Sequence, residues 1–218
     1  MFIQTNFRQQ TNSSSCGMMS PDVPALLAHT CPSAVSLYTP NSEIFAQGEP
    51  AGPLYLVEFG TVRICRLTAD GRRQISAFHF AGEVFGFEYG TEHHFYAESV
   101  DSTGIRVLRP KLDDMMADAI LPLALKSLTR AQEHLLVLGR QNGAEKMAAF
   151  LLDLADRQGN ASVIDFSMQR NDIADYLGLS FETVSRILTR LKLAKIISIP
   201  HVKQIEMLDI EALEDLRG

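Results

Sequence analysis

The spacing of apolar residues divides the chain into a β-rich first part and a helical second part. From about residue 35 to residue 108, short apolar runs alternate with polar positions and are separated by glycine and charged turns. This pattern predicts strands over residues 54–58, 61–67, 74–80, 97–100 and 104–108. Because no helical period interrupts them, we expect an antiparallel roll or barrel.

The apolar spacing becomes helical after Pro110, and we expect the helical region to begin at this proline. A long helix, a second amphipathic helix, a brief strand, two short helices, a hairpin and a last helix are predicted in turn. Their ranges are 120–141, 144–157, 162–166, 170–190, 196–208 and 210–216. The predicted class is therefore α+β, with a β-roll of the jelly-roll type before a winged helix-turn-helix.

The domain division follows from these changes of pattern. Residues 1–20 are rich in Gln, Asn, Ser and Thr, which is typical of a mobile tail. We expect a β-roll over 21–118, a dimerisation helix over 119–142 and a winged helix-turn-helix DNA-binding domain over 143–218.

The two short helices within residues 170–190 meet at Gly178 and have complementary apolar faces. The apolar positions are Ile173, Ala174, Leu177, Leu179, Val184, Ile187 and Leu188. On the outward face of the second helix, Glu182 and Arg186 lie four residues apart. An isolated pair of this kind is more often a plain surface pair. Within a helix-turn-helix pattern, it predicts a DNA recognition helix, because Arg binds guanine O6 and N7 while Glu accepts from cytosine N4.

The long helix carries a leucine stripe that suits one side of a coiled-coil pair. Its positions are Leu121, Leu125, Leu128, Gln132, Leu135 and Leu138. A helix packed on its own domain would give a similar pattern. We favour dimerisation, because a two-fold DNA reader requires a partner and this helix lies between the two domains.

The charge of the chain limits which nucleic-acid role it can have. The net charge is −6 and the pI is about 5.5, which does not suit a nonspecific nucleic-acid coat. A local basic cluster is sufficient for a sequence-specific reader. Such a cluster is formed by Arg170, Arg186, Arg190, Lys192 and Lys195.

The remaining sequence signals indicate a cytoplasmic protein without enzymatic activity. No uninterrupted apolar run reaches the roughly 18 residues of a membrane helix, and no secretory signal precedes the roll. Cys16, Cys31 and Cys65 are odd in number and widely spaced, which favours a reducing compartment over a disulfide framework. Phosphate-binding loops, nucleophile elbows and zinc-protease motifs are missing, so no enzyme is expected.

The order of roll, long helix and winged helix-turn-helix resembles the cyclic-AMP receptor protein/FNR (CRP/FNR) superfamily of bacterial transcription regulators over about residues 35–208. The string from Glu182 to Arg186 resembles the FNR side of the family, in which Glu, Ser and Arg read a TTGA half-site. Three further segments resemble the FixK branch, namely residues 70–74, 82–88 and 131–140. That branch controls genes for low-oxygen respiration and nitrogen fixation.

The resemblance implies a homodimeric regulator, an activator that contacts RNA polymerase and binds double-stranded DNA at a TTGA-N6-TCAA inverted repeat. It implies base reading by Glu182, Ser185 and Arg186. It implies phosphate contacts by Gln169, Arg170, Ser180, Thr183 and Arg190. Helix capping is an equally good explanation for Gln169 and Ser180. Phe181 departs from the polar residue often found there, and should add an apolar contact or none.

The resemblance also indicates whether the roll should bind a cyclic nucleotide. In family members that bind one, the roll has a Gly-Glu pair that contacts the ribose and an Arg-Ser pair that contacts the phosphate. Here Gly86 is followed by Phe87, and His93 and His94 stand in the place of Arg-Ser. These residues are poor ligands for a sugar and a phosphate, so no cyclic nucleotide should be needed.

No metal and no cofactor are expected either. The three cysteines cannot supply the four thiolates of an iron–sulfur cluster, and adjacent histidines on a strand would point to opposite faces. Cys65 is either a redox switch or, as is more usual for a strand cysteine, an inert apolar residue. Two alternatives stay open: a regulator of the same architecture gated by a ligand or by redox at the roll, and a module whose helix-turn-helix binds protein.

Overall fold

The computed structural model describes residues 22–69, 71–111 and 115–218. The tail predicted over residues 1–20, Cys16, and Asp70 of the 70–74 segment lie outside the described residues. Elements are numbered in chain order.

The first part is a short helix followed by a two-sheet β-roll. The elements are α1 (Val23–Ala28), β1 (Thr30–Tyr38), β2 (Glu43–Phe45), β3 (Leu54–Phe59), β4 (Thr61–Leu67), β5 (Arg73–Phe80), β6 (Val84–Phe85), β7 (Tyr96–Ser99) and β8 (Thr103–Pro110). One sheet has the strand order β1-β8-β3-β6 and the other β2-β7-β4-β5, with antiparallel pairing of the neighbours. The predicted α+β class with an antiparallel roll is confirmed.

The second part is helical, with a small sheet. The elements are α2 (Met116–Gly139), α3 (Gly143–Arg157), β9 (Val163–Asp165), α4 (Arg170–Leu177), α5 (Phe181–Leu193), β10 (Ile197–His201), β11 (Gln204–Met207) and α6 (Ile210–Arg217). β11 pairs with β10 on one side and with β9 on the other, which gives a three-stranded sheet in the same part of the chain as α4 and α5. This is the arrangement of a winged helix-turn-helix.

Several boundaries differ from the pattern-based expectations. Pro110 does not begin the helical region, because it is the last residue of β8 and pairs with Thr30. A proline is tolerated at the end of a strand, where its missing N–H costs little. The long helix α2 also begins and ends earlier than the predicted 119–142. The short elements α1, β2 and β6 were not predicted, since they contain too few residues to show a period. The nine-residue strand β1 was not predicted either, because its residues are mostly exposed and do not alternate between buried and exposed positions.

The helical second part packs directly on the roll. Cys65, Ile75 and Phe78 of β4 and β5 belong to the same apolar core as the inner faces of α3, α4 and α5. Separate clusters fill the interior of the roll and the contact between α1, the roll and the first half of α2. The shared core means that the helix-turn-helix has one defined position against the roll in this structure. Among the described residues, no helix combines the length and apolarity required to cross a bilayer.

Candidate nucleic-acid interface

The turn between α4 and α5 is built on a glycine. Gly178 ends α4 with φ of 62°, a left-handed backbone conformation that a residue with a Cβ adopts only with strain. The amide of Leu179 then donates to the carbonyl of Ala174 at 3.0 Å, which closes the turn. The apolar positions predicted to face inward are buried, with Leu179 half-buried. The sequence pattern therefore located this unit correctly.

Ser180 is the N-cap of α5. Its Oγ accepts from the amide of Thr183 at 3.1 Å and lies 3.0 Å from the Thr183 hydroxyl. Gln169 is the N-cap of α4, and its backbone N–H donates to Asp172 Oδ2 at 3.2 Å. Capping therefore accounts for the Ser180 side chain in this structure. A phosphate contact by either one stays a prediction.

The reading face of α5 presents two unpaired charged groups. Glu182 and Arg186 are exposed, and no ion pair joins them within the part of the chain that the structure describes. Hydrogen bonds from its own amide and from Ser180 lower the pKa of Glu182, so its carboxylate stays an acceptor. The plain surface pair that competed with base reading is not formed here. Both side chains lie at the surface, where Ser180 donates to Glu182 and Arg186 approaches the Thr183 hydroxyl.

The remaining predicted DNA contacts surround this pair. Arg190 is exposed on α5, and half-buried Ser185 accepts a hydrogen bond from Arg170 Nη1 at 3.2 Å. The guanidinium of Arg186 lies 3.5 Å from the half-buried Thr183 hydroxyl. Phe181 is the first residue of α5 and is 46% exposed. Hydrogen bonds thus bring Arg170 next to Ser185, and Ser180, Thr183 and Arg186 next to one another.

One face of α2 is apolar and exposed, although the other packs on its own chain. Met116 and Leu123 are buried against α1 and the roll, and Ala119 is also buried. The exposed positions of the predicted stripe are Leu121, Leu125, Leu128, Gln132 and Leu135. Leu138 differs, because it is half-buried and its Cδ2 lies near Gly178 of the same chain. The exposed positions are spaced by four and three residues, the repeat of a two-helix seam.

Aromatic rings fill the interior of the roll. His93 is 2% exposed and stacks on Phe45 with ring centres 3.6 Å apart, while Tyr55 stacks on Phe85 at 5.3 Å. At Gly86, a Cβ would lie 2.7 Å from the Tyr55 ring. The rings therefore occupy space inside the roll beside the predicted ribose position.

The two histidines in the place of the phosphate clamp have a different geometry from the expected one. His93 and His94 lie outside the strands, so the argument that a strand would point them to opposite faces is wrong. Both Nδ1 atoms approach the Glu88 carboxylate, at 3.3 Å for His93 and 2.8 Å for His94. The carboxylate would repel a phosphate at this position.

The described cysteines differ in environment. Cys65 is 2% exposed, and burial raises the pKa of its thiol to about 11, whereas Cys31 is exposed. A buried thiol with a raised pKa is a poor nucleophile. Among the described residues, no group of three or more His, Cys, Asp or Glu side chains is placed to hold a metal ion.

A set of charged residues between the roll and the helix-turn-helix was not predicted. Arg63 and Arg73 of the roll contact Asp172 and Asp175 of α4. A buried charge pair leaves no trace in hydrophobic periodicity. The spacing of three residues from Gln169 to Asp172 is that of a helix-capping box, although the usual residues there are Ser or Thr and Glu or Gln.

Two family comparisons agree with this architecture. Residues 145–216 match the family described as Crp-like helix-turn-helix domain, and residues 36–117 match the Cyclic nucleotide-binding domain. The chain belongs to the CRP/FNR family of transcription regulators. The resemblance expected from the sequence is confirmed.

The chain is similar in sequence to FixK proteins. It is 45% identical over 185 residues to the nitrogen fixation regulation protein FixK of Rhizobium meliloti, covering 85% of this chain and 88% of that protein. FixK of Azorhizobium caulinodans is 43% identical over 193 residues, covering 83% and 78%. The solved structure of FixK2 from Bradyrhizobium japonicum superposes with a TM-score of 0.80 at 36% identity, covering 85% of this chain and 97% of that one. The chain is thus a regulator of the FixK/FNR type and not an enzyme.

Proposed function

We propose that this regulator binds as a homodimer to a TTGA-N6-TCAA inverted repeat and activates genes for low-oxygen respiration or nitrogen fixation without cyclic nucleotide. The observation that carries the proposal is the exposed, mutually unpaired Glu182 and Arg186 on the recognition helix of a FixK-like chain. Activation through RNA polymerase and the target genes follow from the resemblance to FixK.

The spacing of the proposed site agrees with two-fold symmetry. A six-base-pair spacer puts the centres of the two four-base half-sites about 10 base pairs apart, one turn of B-DNA. Two recognition helices about 34 Å apart would then enter successive major grooves on one face of the duplex. The exposed stripe of α2, which contains Leu125 and Leu128, supplies the dimer seam.

Each base-reading residue has a chemical role at the half-site. Arg186 donates two hydrogen bonds to the guanine of TTGA, and Glu182 accepts from cytosine N4 on the opposite strand. Ser185 is small enough to lie against a thymine methyl while its hydroxyl bonds a base edge. Phosphate contacts by Arg170 and Arg190 set the register without reading sequence.

The interior of the roll supports independence from cyclic nucleotide. Phe45, Tyr55, Phe85 and His93 pack against one another inside the roll, and the Tyr55 ring lies beside Gly86. Phe87 offers no acceptor for ribose hydroxyls, and the Glu88 carboxylate lies beside the two histidines. A nucleotide that entered the cavity of about 960 Å³ lined by Phe85, Phe87 and Glu88 would meet apolar rings and an anion.

The proposal is tested by titrating purified protein, with nothing added, into a labelled TTGA-N6-TCAA duplex. A second duplex carries the guanine of each half-site replaced by adenine. We expect binding to the first and a loss of about 1–3 kcal/mol per altered half-site on the second. Adding cyclic AMP should change neither affinity. Equal binding to both duplexes, or binding that appears only with cyclic AMP, would overturn the proposal.

A further inference from the structure

The β4–β5 hairpin of the roll holds α4 through a network of charged groups. Arg73 Nη2 contacts Asp172 Oδ1 at 2.6 Å and Asp175 Oδ2 at 2.8 Å. Arg63 Nη1 contacts the same Asp172 oxygen at 3.2 Å, and its Nη2 reaches Glu98 at 2.7 Å. One carboxylate on α4 is therefore shared by two guanidinium groups from neighbouring strands.

Burial gives the contact its strength. The side chains of Arg63 and Asp172 are 6% and 3% exposed, so water cannot replace either partner. Removing one member of a buried charge pair leaves the other uncompensated, which is strongly unfavourable. Asp172 Oδ2 also accepts from the Gln169 amide at 3.2 Å. The same side chain thus caps α4 and ties its first turn to the roll.

Neutral contacts extend the network along both sides of α4. Gln74 Nε2 donates to the Asp175 carbonyl at 2.6 Å, and the hydroxyls of Thr61 and Ser167 are 2.8 Å apart. The Phe78 ring lies 5.1 Å from the Tyr176 ring inside the shared core. These contacts hold the second half of α4 and the segment before it against the roll.

A second ionic cluster holds the helices on either side. Glu83, in the turn after β5, accepts from Arg157 at the end of α3 at 2.6 Å and from Arg130 of α2 at 2.8 Å. Burial opposes ionisation, but the Arg157 guanidinium lowers the pKa of Glu83 to about 2. The roll is therefore bound to α2, α3 and α4.

We propose that Arg63 and Arg73 are positioning residues for operator reading. Through Asp172 they set the orientation of α4 on the roll, and α4 carries α5 with it because the two helices share one core. The roll thereby determines how far apart, and at what angle, two recognition helices stand in a dimer. This inference rests on the proposed function, since it concerns the spacing of the inverted repeat.

The alternative is that the joint between α2 and α3, at residues 140–142, sets the orientation alone. The two explanations differ in what a loss of the roll contact does. If the joint is sufficient, removing a guanidinium affects stability but not the preferred half-site spacing. If the roll contact positions α4, removing a guanidinium lets the recognition helices change orientation, and the dimer then tolerates other spacer lengths. Each base pair added or removed rotates one half-site by about one tenth of a turn.

The experiment compares affinities for repeats with spacers of five, six and seven base pairs, using the full-length protein. The variants are Arg63→Gln, Arg73→Gln and Arg73→Lys. Arg66→Gln is the matched control, because Arg66 lies exposed on the same strand as Arg63. Stoichiometric titration gives the active fraction of each sample, which separates incomplete folding from altered recognition.

We expect the preference of the Gln variants for the six-base-pair spacer to fall by about fivefold or more, the usual lower range of coupling between sites. Arg73→Lys should retain part of the preference, and Arg66→Gln all of it. Arg73 is 25% exposed, so Arg73→Gln tests the inference even where Arg63→Gln fails to fold. The positioning role would be overturned if the wild-type protein strongly preferred the six-base-pair spacer and Arg73→Gln showed the same preference. Wild-type protein that binds no repeat would overturn the proposed function, and this inference with it.

Discussion

Arg170 Nη1 donates a hydrogen bond to Ser185 Oγ over 3.2 Å, from the first residue of α4 to the reading face of α5. One residue is a predicted phosphate contact, and the other is a predicted base reader. Because they touch in the protein alone, the predicted phosphate contact and the predicted base reader belong to one hydrogen-bonded unit. The arginine has further donors available for a phosphate.

Replacement of Arg170 by alanine should weaken binding to all duplexes to a similar degree. The reason is that a phosphate contact carries no sequence information, while its loss retains one counterion more on the DNA. The plot of log affinity against log salt should become shallower by about one. Anisotropy titrations of specific and scrambled duplexes at several salt concentrations measure both effects. A loss confined to the specific duplex would assign Arg170 to base recognition instead.

Charge on the exposed stripe of α2 should dissociate the dimer. In the variant with Leu125→Glu and Leu128→Glu, carboxylates would face their counterparts in an apolar seam, where burying an unpaired charge is costly. Light scattering should report a monomer, and binding to the inverted repeat should fall steeply. Leu37→Glu is the matched control, because Leu37 is a 77% exposed leucine on the roll. A double variant that remains a dimer would contradict the assignment of this face.

The stability of the protein should decline as the pH falls from about 6.5 towards 4. Burial lowers the pKa of His79 and of His134 to about 4, from 6.5 in the unfolded chain. The unfolded state therefore binds protons first, and each pH unit in this window costs up to about 1.4 kcal/mol per histidine. Above pH 6.5 this effect vanishes.

The variant His134→Phe separates the contribution of His134 to the pH dependence of stability from that of His79. The His134 ring stacks on Tyr176 with centres 3.9 Å apart, and both of its nitrogens lack hydrogen-bond partners among the described residues. A phenyl ring can keep the stack without taking up a proton. Denaturant unfolding between pH 4 and 7 should show a shallower dependence in the variant. An unchanged slope would mean that His134 is already solvated or paired in solution.

Cys65 should react slowly with thiol reagents in the folded protein. Its thiol is buried and its pKa is raised to about 11, so the thiolate is scarce near neutral pH. Site-resolved mass spectrometry after maleimide treatment should show Cys31 labelled well before Cys65, and Cys65→Ala should bind DNA normally. Equal labelling rates would revive the possibility of a redox switch.

Periodicity predicted the parts of the molecule in which one face of an element is apolar. The helix-turn-helix was located by Gly178 and by the inward positions of α4 and α5. The strands were located by an apolar run for β3, by alternation for β4 and by a hairpin signal before β5. Elements of two or three residues, such as β6, are too short to show a period. Pro110 misled because a proline is favourable both at the start of a helix and at the end of a strand.

The side chains of the candidate site were predicted from their residue types, but the contacts that hold the site in place were not. Glu182 and Arg186 could be singled out because their chemistry matches base edges and their spacing matches one helical face. The role of Asp172 could not be recognised from the sequence, since a charged residue at the start of a helix is ordinarily exposed. Only the folded chain brings it to Arg63, more than a hundred residues away in sequence. Contacts of this separation depend on how domains pack, which composition and spacing do not encode.

The most direct measurement is selection of binding sites from random duplexes, carried out with ligand-free wild-type protein and with Arg186→Ala in parallel. Wild-type protein should enrich the TTGA-N6-TCAA repeat. The variant should lose about 1–3 kcal/mol of discrimination at the guanine while keeping preference elsewhere. Failure of the wild type to enrich any inverted repeat, or an unchanged guanine preference in the variant, would contradict the assignment of operator reading to this helix.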